Sequence, residues 1–110
     1  MSFERFPETM DPDDRKDYTF RFKLPAGEAI DSAVVAVVDS TSENELADTG
    51  IEFESTQFGQ ISGQVYGVTV WLTASGVTPG SYYLRCRGET DAFPITRKFD
   101  KTMKLVIEQR

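Results

Sequence analysis

The residues best suited to chemistry are few, because the sequence contains no histidine. Histidine is the commonest general base, the usual partner of a Ser or Cys nucleophile and the commonest metal ligand. The remaining acid/base pair is Glu52 and Glu54, which an extended strand would place on one face roughly 7 Å apart, as in some glycoside hydrolases. Alternating glutamates also keep the outer face of a strand solvated and its edge unpaired. We favour that second interpretation and expect no catalytic residue and no enzyme activity.

Four aspartates between Asp11 and Asp17 suggest a calcium loop at first sight. The spacing fails, because the third ligand position falls on Arg15 and no glycine stands where the loop must turn. We therefore expect a solvated, charged segment here, with no metal ion and no cofactor.

The single cysteine, Cys86, excludes an internal disulfide. Its place beside Leu84 in an alternating stretch predicts a thiol that behaves as a small apolar core group. Arg85 and Arg87 would point to the other face and would not acidify it.

Six residues are candidates for binding a partner. Phe3 and Phe6 are large apolar groups in an otherwise polar N-terminal segment, and they need either the parent domain or a neighbouring protein to cover them. The other four would form an aromatic and basic patch if they lined adjacent strands on one outer face; they are Trp71, Tyr83, Arg85 and Arg87. The alternative, that Trp71 belongs to the core and its neighbours cover it, remains open at this point.

The elements that would position these residues are strands. Apolar and polar residues alternate strictly from Tyr18 to Leu24, and residues 29–38 form a β-branched apolar run typical of a buried strand. Further strand patterns, separated by Gly and Pro turns, cover residues 51–55, 61–74, 81–88, 93–99 and 103–107. In the longest of these we expect a bend near Gly67. About seven short strands without helical periodicity predict one antiparallel β-sandwich domain.

The turn before residues 81–88 narrows the fold class. Its Val-x-Pro-Gly-x-Tyr arrangement resembles the entry to the penultimate strand of immunoglobulin-like sandwiches, where a tyrosine corner caps the turn. Spacing favours Tyr83 as the corner residue and strand parity favours Tyr82. We predict an immunoglobulin-like antiparallel β-sandwich over residues 17–110, preceded by an extended N-terminal arm over residues 1–16.

Charge is distributed unevenly along the chain. No Lys or Arg occurs from Pro25 to Leu84, whereas basic residues predominate from Arg85 onward. Acidic and basic strands could pair within one sheet, which is the interpretation that we favour, or an acidic face of one copy could meet a basic face of the next. The net charge of −6 disfavours binding to nucleic acid. No apolar run approaches the length of a membrane span and no signal peptide is evident, so we expect synthesis in the cytoplasm and no membrane contact.

Short motifs resemble a family of tailed-bacteriophage virion proteins. Asp11-Pro12-Asp13 followed by Asp17-Tyr18 matches that family's entry into its first strand, and the likeness resumes at residues 27–32 and 70–73. The resemblance implies a structural protein of the virion, either an adaptor between tail and fibre or a decoration of the capsid. It also implies that the partners are other virion proteins, with self-association into a homo-oligomer as a further option. The alternative is a carbohydrate-binding or adhesion β-sandwich that uses exposed aromatic residues and carboxylates.

Overall fold

The computed structural model describes residues 3–47 and 49–109. These residues form seven strands and no helix. The strands are β1 (Glu4–Arg5), β2 (Arg15–Lys23), β3 (Ile30–Val38), β4 (Glu52–Ser62), β5 (Val65–Thr73), β6 (Gly80–Thr90) and β7 (Lys98–Ile107).

The strands build two sheets. One has the order β1-β7-β6-β3 and the other the order β2-β5-β4. β1 runs parallel to β7, and the other neighbouring strands are antiparallel. The prediction of an all-β sandwich of about seven strands is confirmed.

The core lies between the inner faces of the two sheets. Alternate residues of β2 and β5, such as Phe20, Val70 and Leu72, point inward and are fully buried, as are Leu84 and Leu105 of the facing sheet. Each such side chain contributes about 1.5–3 kcal/mol by leaving water. The two-residue alternation in the sequence therefore has a direct physical cause, since one face of each strand is buried and the other is not.

The N-terminal segment differs from the extended arm predicted over residues 1–16. Met1 and Ser2 lie outside the described residues, but Phe6 and Met10 are buried in the core. The backbone follows β7, because the Phe6 N–H donates to the carbonyl of Lys104 and the Met10 N–H to that of Val106, both at 3.0 Å. The segment is thus largely part of the domain, and its apolar side chains fill the space between the sheets beside β2.

The turn into β6 has the predicted corner, and Tyr82 forms it. Its hydroxyl donates to the carbonyl of Thr78, four residues upstream, at 2.5 Å. Tyr83 points to the outer face instead. Strand parity was therefore the better guide than spacing.

Several predicted strands have different limits. The one predicted at residues 51–55 extends to Ser62 as β4, and the one at residues 103–107 is the second half of β7. The pattern at residues 61–74 spans the hairpin between β4 and β5. Gly67 lies in regular register within β5, with no bulge, and a Cβ atom there would come within 2.7 Å of the Ile61 side chain. Close packing therefore explains this glycine. The prediction of a strand from residue 93 was wrong for residues 93–97, which form a loop before β7 begins at Lys98.

Candidate partner-binding surface

The predicted aromatic and basic patch is not assembled. Trp71 lies on β5, whereas Tyr83, Arg85 and Arg87 lie on β6 in the other sheet. Trp71 is 39% exposed, opposite the buried side chains of its neighbours along the strand, so it is not a core residue either. The chain passes from one sheet to the other between β5 and β6. Trp71 and the three residues of β6 therefore lie on opposite outer faces of the sandwich.

The two arginines of β6 are engaged within the chain. The Arg85 Nε–H donates to Asp100 Oδ1 at 2.9 Å, and Arg87 Nη2 lies 3.2 Å from Glu45 Oε1. The hydrogen bond from Arg85 holds the pKa of the Asp100 carboxyl below its ordinary value, and it raises the pKa of Arg85. Neither arginine is an unpaired cation available to a partner.

The uneven charge along the sequence is partly balanced in the same way. Besides Arg87 with Glu45, Arg97 Nε lies 3.3 Å from Glu28 Oε1, and the Thr102 hydroxyl donates to Glu43 at 3.2 Å. These contacts join the acidic stretch of the sequence to the basic one within a single copy. They support the interpretation that the charges pair internally, although exposed pairs of this kind contribute only ~0–1 kcal/mol each.

The two N-terminal phenylalanines have partners in the same chain. The ring of Phe6 lies 4.9 Å from that of Tyr18 and 5.2 Å from that of Phe20. The half-buried Phe3 packs edge-on against Tyr83, with ring centroids 5.3 Å apart. Phe6 is therefore unavailable as an anchor for another protein, and Phe3 and Tyr83 cover each other.

Of the groups considered for catalysis, Glu54 pairs with an arginine and Cys86 is buried. A register shift between Phe53 and Ser55 takes Glu54 out of alignment with Glu52, and Arg15 Nε lies 2.7 Å from Glu54 Oε2. Cys86 is buried, and burial raises the pKa of its thiol to about 12, so the thiol stays protonated near neutral pH.

Among residues 3–47 and 49–109, no cluster of acidic or Cys side chains suits a metal ion, and no helix could cross a membrane.

The loop between β6 and β7, residues 91–97, carries the two most exposed large apolar side chains of the described residues. Phe93 is 95% exposed and Ile95 is 82% exposed. Exposed aromatic and aliphatic groups at a loop tip are typical anchors for another protein. The alternating sequence pattern predicts a strand over these residues and so does not reveal this surface, although Pro94 argues against a strand.

The base of the β6–β7 loop is held by a set of hydrogen bonds to the segment before β3. The fully buried Thr90 hydroxyl donates to Glu28 Oε1 at 2.7 Å. Asp91 makes two bonds to Ala29: its Oδ1 accepts from the Ala29 N–H at 2.8 Å, and its own N–H donates to the Ala29 carbonyl at 2.9 Å. The apolar tip therefore stands on an anchored base.

A second exposed surface lies on the outer face of the three-stranded sheet. Trp71 faces Asp17 across β2 and β5, and a shallow concavity of about 420 Å³ extends from it past Gln57 and Thr69 to Ile61. An aromatic ring beside carboxylate and amide groups can hold a polar ligand with apolar faces.

Comparison with known proteins gave no match to the chain among protein-family models, curated proteins or solved structures.

Proposed function

We propose that this protein is a non-enzymatic structural component of a tailed-phage virion that docks on other virion proteins, as an adaptor between tail and fibre or as a decoration of the capsid. The sequence motifs at residues 11–18, 27–32 and 70–73 suggest the virion. The observation that carries the docking role is the exposed apolar tip of the β6–β7 loop on its hydrogen-bonded base.

The energetics of the loop favour binding. Burying Phe93 or Ile95 in a pocket of a partner would contribute about 1.5–3 kcal/mol each. A loop anchored by Thr90 and Asp91 loses less conformational entropy on docking than a free segment would. The two side chains therefore have the properties of an interface hot spot, which is a small apolar centre presented by a rigid support.

The strand order supports the finer, immunoglobulin-like assignment. If β2 to β7 are taken as strands B to G, one sheet reads B-E-D and the other reads G-F-C with β1 added beside G, so only the position of the first strand differs from that fold. Tyr82 then forms the tyrosine corner at the start of strand F. The β6–β7 loop becomes the F–G loop, which is one of the binding loops in antibody variable domains.

Co-sedimentation of the purified protein with tails, capsids and whole virions tests this proposal. We expect a double variant, Phe93→Ser with Ile95→Ser, to bind at least about tenfold more weakly, since it loses most of the buried apolar area. Val34→Ser is the matched control, because Val34 is an exposed apolar residue on the outer face of β3. Equal binding by both variants, or no binding of the unaltered protein to any particle, would contradict the proposal.

The structure also determines which deletion is informative. Removing residues 1–16 would take Phe6 and Met10 out of the core. Loss of binding by that truncated chain would therefore report unfolding as readily as a lost contact. The loop variants avoid this ambiguity, because their side chains are almost entirely in solvent.

A carbohydrate-binding role is the second candidate, and the exposed Trp71 favours it. Its ring stands opposite Asp17 and close to Gln57, so a sugar could stack on the ring and accept or donate hydrogen bonds beside it. A glycan array separates the two functions. A sugar binder would lose its signal in Trp71→Ala and keep it in the loop variant, whereas the docking proposal expects no glycan signal.

A further inference from the structure

Among residues 3–47 and 49–109, no strand pairs with the outer edge of β4. β4 is the last strand in the order β2-β5-β4, and it is 11 residues long. Between its two register shifts, residues 55–60 pair with β5 in an unbroken ladder. A regular strand of this kind presents a row of unpaired N–H and C=O groups, which is a template for another strand.

Residues 55–60 lack two of the usual protections against pairing, which are charge and proline. Proteins commonly guard a free edge with charged side chains or proline. After Glu54, β4 contains neither, and no Asp, Glu, Lys or Arg occurs from Ser55 to Leu84. We call residues 55–62 of β4 the uncharged edge.

An aromatic residue lies at the middle of the uncharged edge. Phe58 is in register with the buried Val68, so its side chain belongs to the inner face of the sheet. The facing sheet does not cover it fully, however, and Phe58 remains 44% exposed. It is the kind of residue that a neighbouring strand would bury.

We propose that two copies of this chain pair through their uncharged edges, antiparallel, about a two-fold axis that passes beside Phe58. The pairing places Phe58 against Phe58 of the second copy, Gln57 against Gly59 and Thr56 against Gln60. A two-fold axis perpendicular to the sheet pairs residues that lie on the same face of the sheet. In each of these three pairs, both residues lie on the same face. The two three-stranded sheets then continue as one sheet of six strands.

The occupant is a second copy because of charge and symmetry. Each copy has a net charge of −6, so contact between two copies adds least local repulsion where neither surface is charged, and the uncharged edge meets that condition. An antiparallel edge is also self-complementary, as a two-fold interface requires. If the two-fold axis lay beside Phe53 instead, Glu52 of each copy would face Glu54 of the other. These like charges would repel, so an axis beside Phe58 is favoured. The five paired residues supply about five main-chain hydrogen bonds, within the ~10 ± 5 of a typical interface.

Analytical ultracentrifugation over a wide concentration range is the first test. The unaltered protein is expected to dimerise, and Phe58→Lys should raise the dissociation constant at least about tenfold, because two like charges would face each other at the axis. Ile95→Lys makes the same change in charge at another exposed apolar side chain and should leave the dimer intact. The proposal would be overturned if the unaltered protein stayed monomeric, in which case the edge would be left for a strand of another protein. It would also be overturned if the Phe58→Lys variant still dimerised.

Disulfide trapping tests the register independently. Phe58→Cys should cross-link to itself under mild oxidation, because the axis brings the two Cβ atoms to about 4.5–5.5 Å before any adjustment. Arg21→Cys on β2 is the control for random collisions, since Arg21 is exposed on the opposite edge of the same sheet. The buried Cys86 should not contribute. Equal cross-linking at both positions would exclude the proposed axis.

This interface is separate from the docking loop of the proposed function. If the protein dimerises but does not bind the particles, only the proposed virion role is contradicted. Particle binding that persists in a monomeric protein would remove the dimer alone.

Discussion

β2 and β4 are the two outer strands of one sheet, yet their edges are built in opposite ways. Five of the nine residues of β2 are charged, namely Arg15, Lys16, Asp17, Arg21 and Lys23. β4 has Glu52 and Glu54 at its start and no further charge. Charge on an exposed strand discourages pairing with other chains. The contrast is what the proposed dimer requires, since that dimer pairs through β4 and not through β2.

The inner faces of the two strands differ in the same sense. Beside β2, the chain supplies its own cover, because Phe6 packs against both Tyr18 and Phe20. Beside β4, Phe58 is left half uncovered. The N-terminal segment thus completes the core on one side of the sandwich, and no described segment does so along the second half of β4.

The largest expected difference is in core stability. Phe20→Ala removes a fully buried ring from β2 and should lower the free energy of unfolding by about 3–5 kcal/mol. The matched change in β4, Phe58→Ala, should cost less than about 1 kcal/mol when measured on the monomer, because that ring is half in solvent. Urea denaturation at low protein concentration compares the two. If both variants lost a similar free energy of unfolding, the Phe58 side chain would be as deeply buried as that of Phe20.

The cover over β2 gives the next largest effect. Phe6→Ala should destabilise the domain by about 3 kcal/mol, because it opens a cavity against Tyr18 and Phe20. Phe3→Ala removes one edge-on ring contact with Tyr83 at the surface and should cost about 1 kcal/mol. The same denaturation measurement serves here. If Phe6→Ala were as mild as Phe3→Ala, the N-terminal segment would be a loose arm after all.

The sequence predicted β2 well because its information is local. The alternation from Tyr18 to Leu24 reflects one buried face, which neighbouring residues reveal by themselves. The cover supplied by Phe6 depends on contacts with Tyr18 and Phe20, across the chain, and no local pattern encodes them. An apolar residue in a polar segment indicates that some cover exists without indicating which.

The candidate site was harder to predict for the same reason. Parity placed Tyr83 on the face opposite Tyr82, but it left open whether Trp71 was exposed or in the core. The sheet to which each residue belongs depends on where the chain passes from one sheet to the other, which is between β5 and β6. Phe93 and Ile95 alternate like strand residues, so the pattern predicted a strand and hid the most exposed surface. Pro94 was the local signal against it, since proline cannot donate to a strand ladder.

Neutralising the protected edge should make it behave like the open one. In a double variant, Arg21→Thr with Lys23→Thr, β2 loses two of its charges while keeping strand-forming residues. We expect species larger than a dimer in ultracentrifugation, since each copy would then have two edges able to pair. The free energy of unfolding should stay within about 0.5 kcal/mol, because both side chains are exposed. A variant that remains dimeric would show that charge is not what closes this edge.

The smallest effect concerns pH, and it separates pairing from folding. The uncharged edge contains no titratable side chain, so the dissociation constant of the dimer should change little between neutral pH and pH 5. The fold itself contains the Arg85–Asp100 pair, which lowers the pKa of Asp100. A carboxyl group with a lower pKa in the folded protein than in the unfolded chain stabilises the fold when the pH is above its unfolded pKa. This stabilisation is lost as the pH falls below about 4.

Because Asp100 is almost half exposed, solvent screens the Arg85–Asp100 pair and the loss of stability should be small. Urea denaturation at neutral pH and near pH 3 measures that loss, and Asp100→Asn should reduce it. A dimer that weakens in step with this titration would place charged groups at the interface. The axis would then lie away from Phe58, since no carboxyl or amine occurs in the strand segment around it.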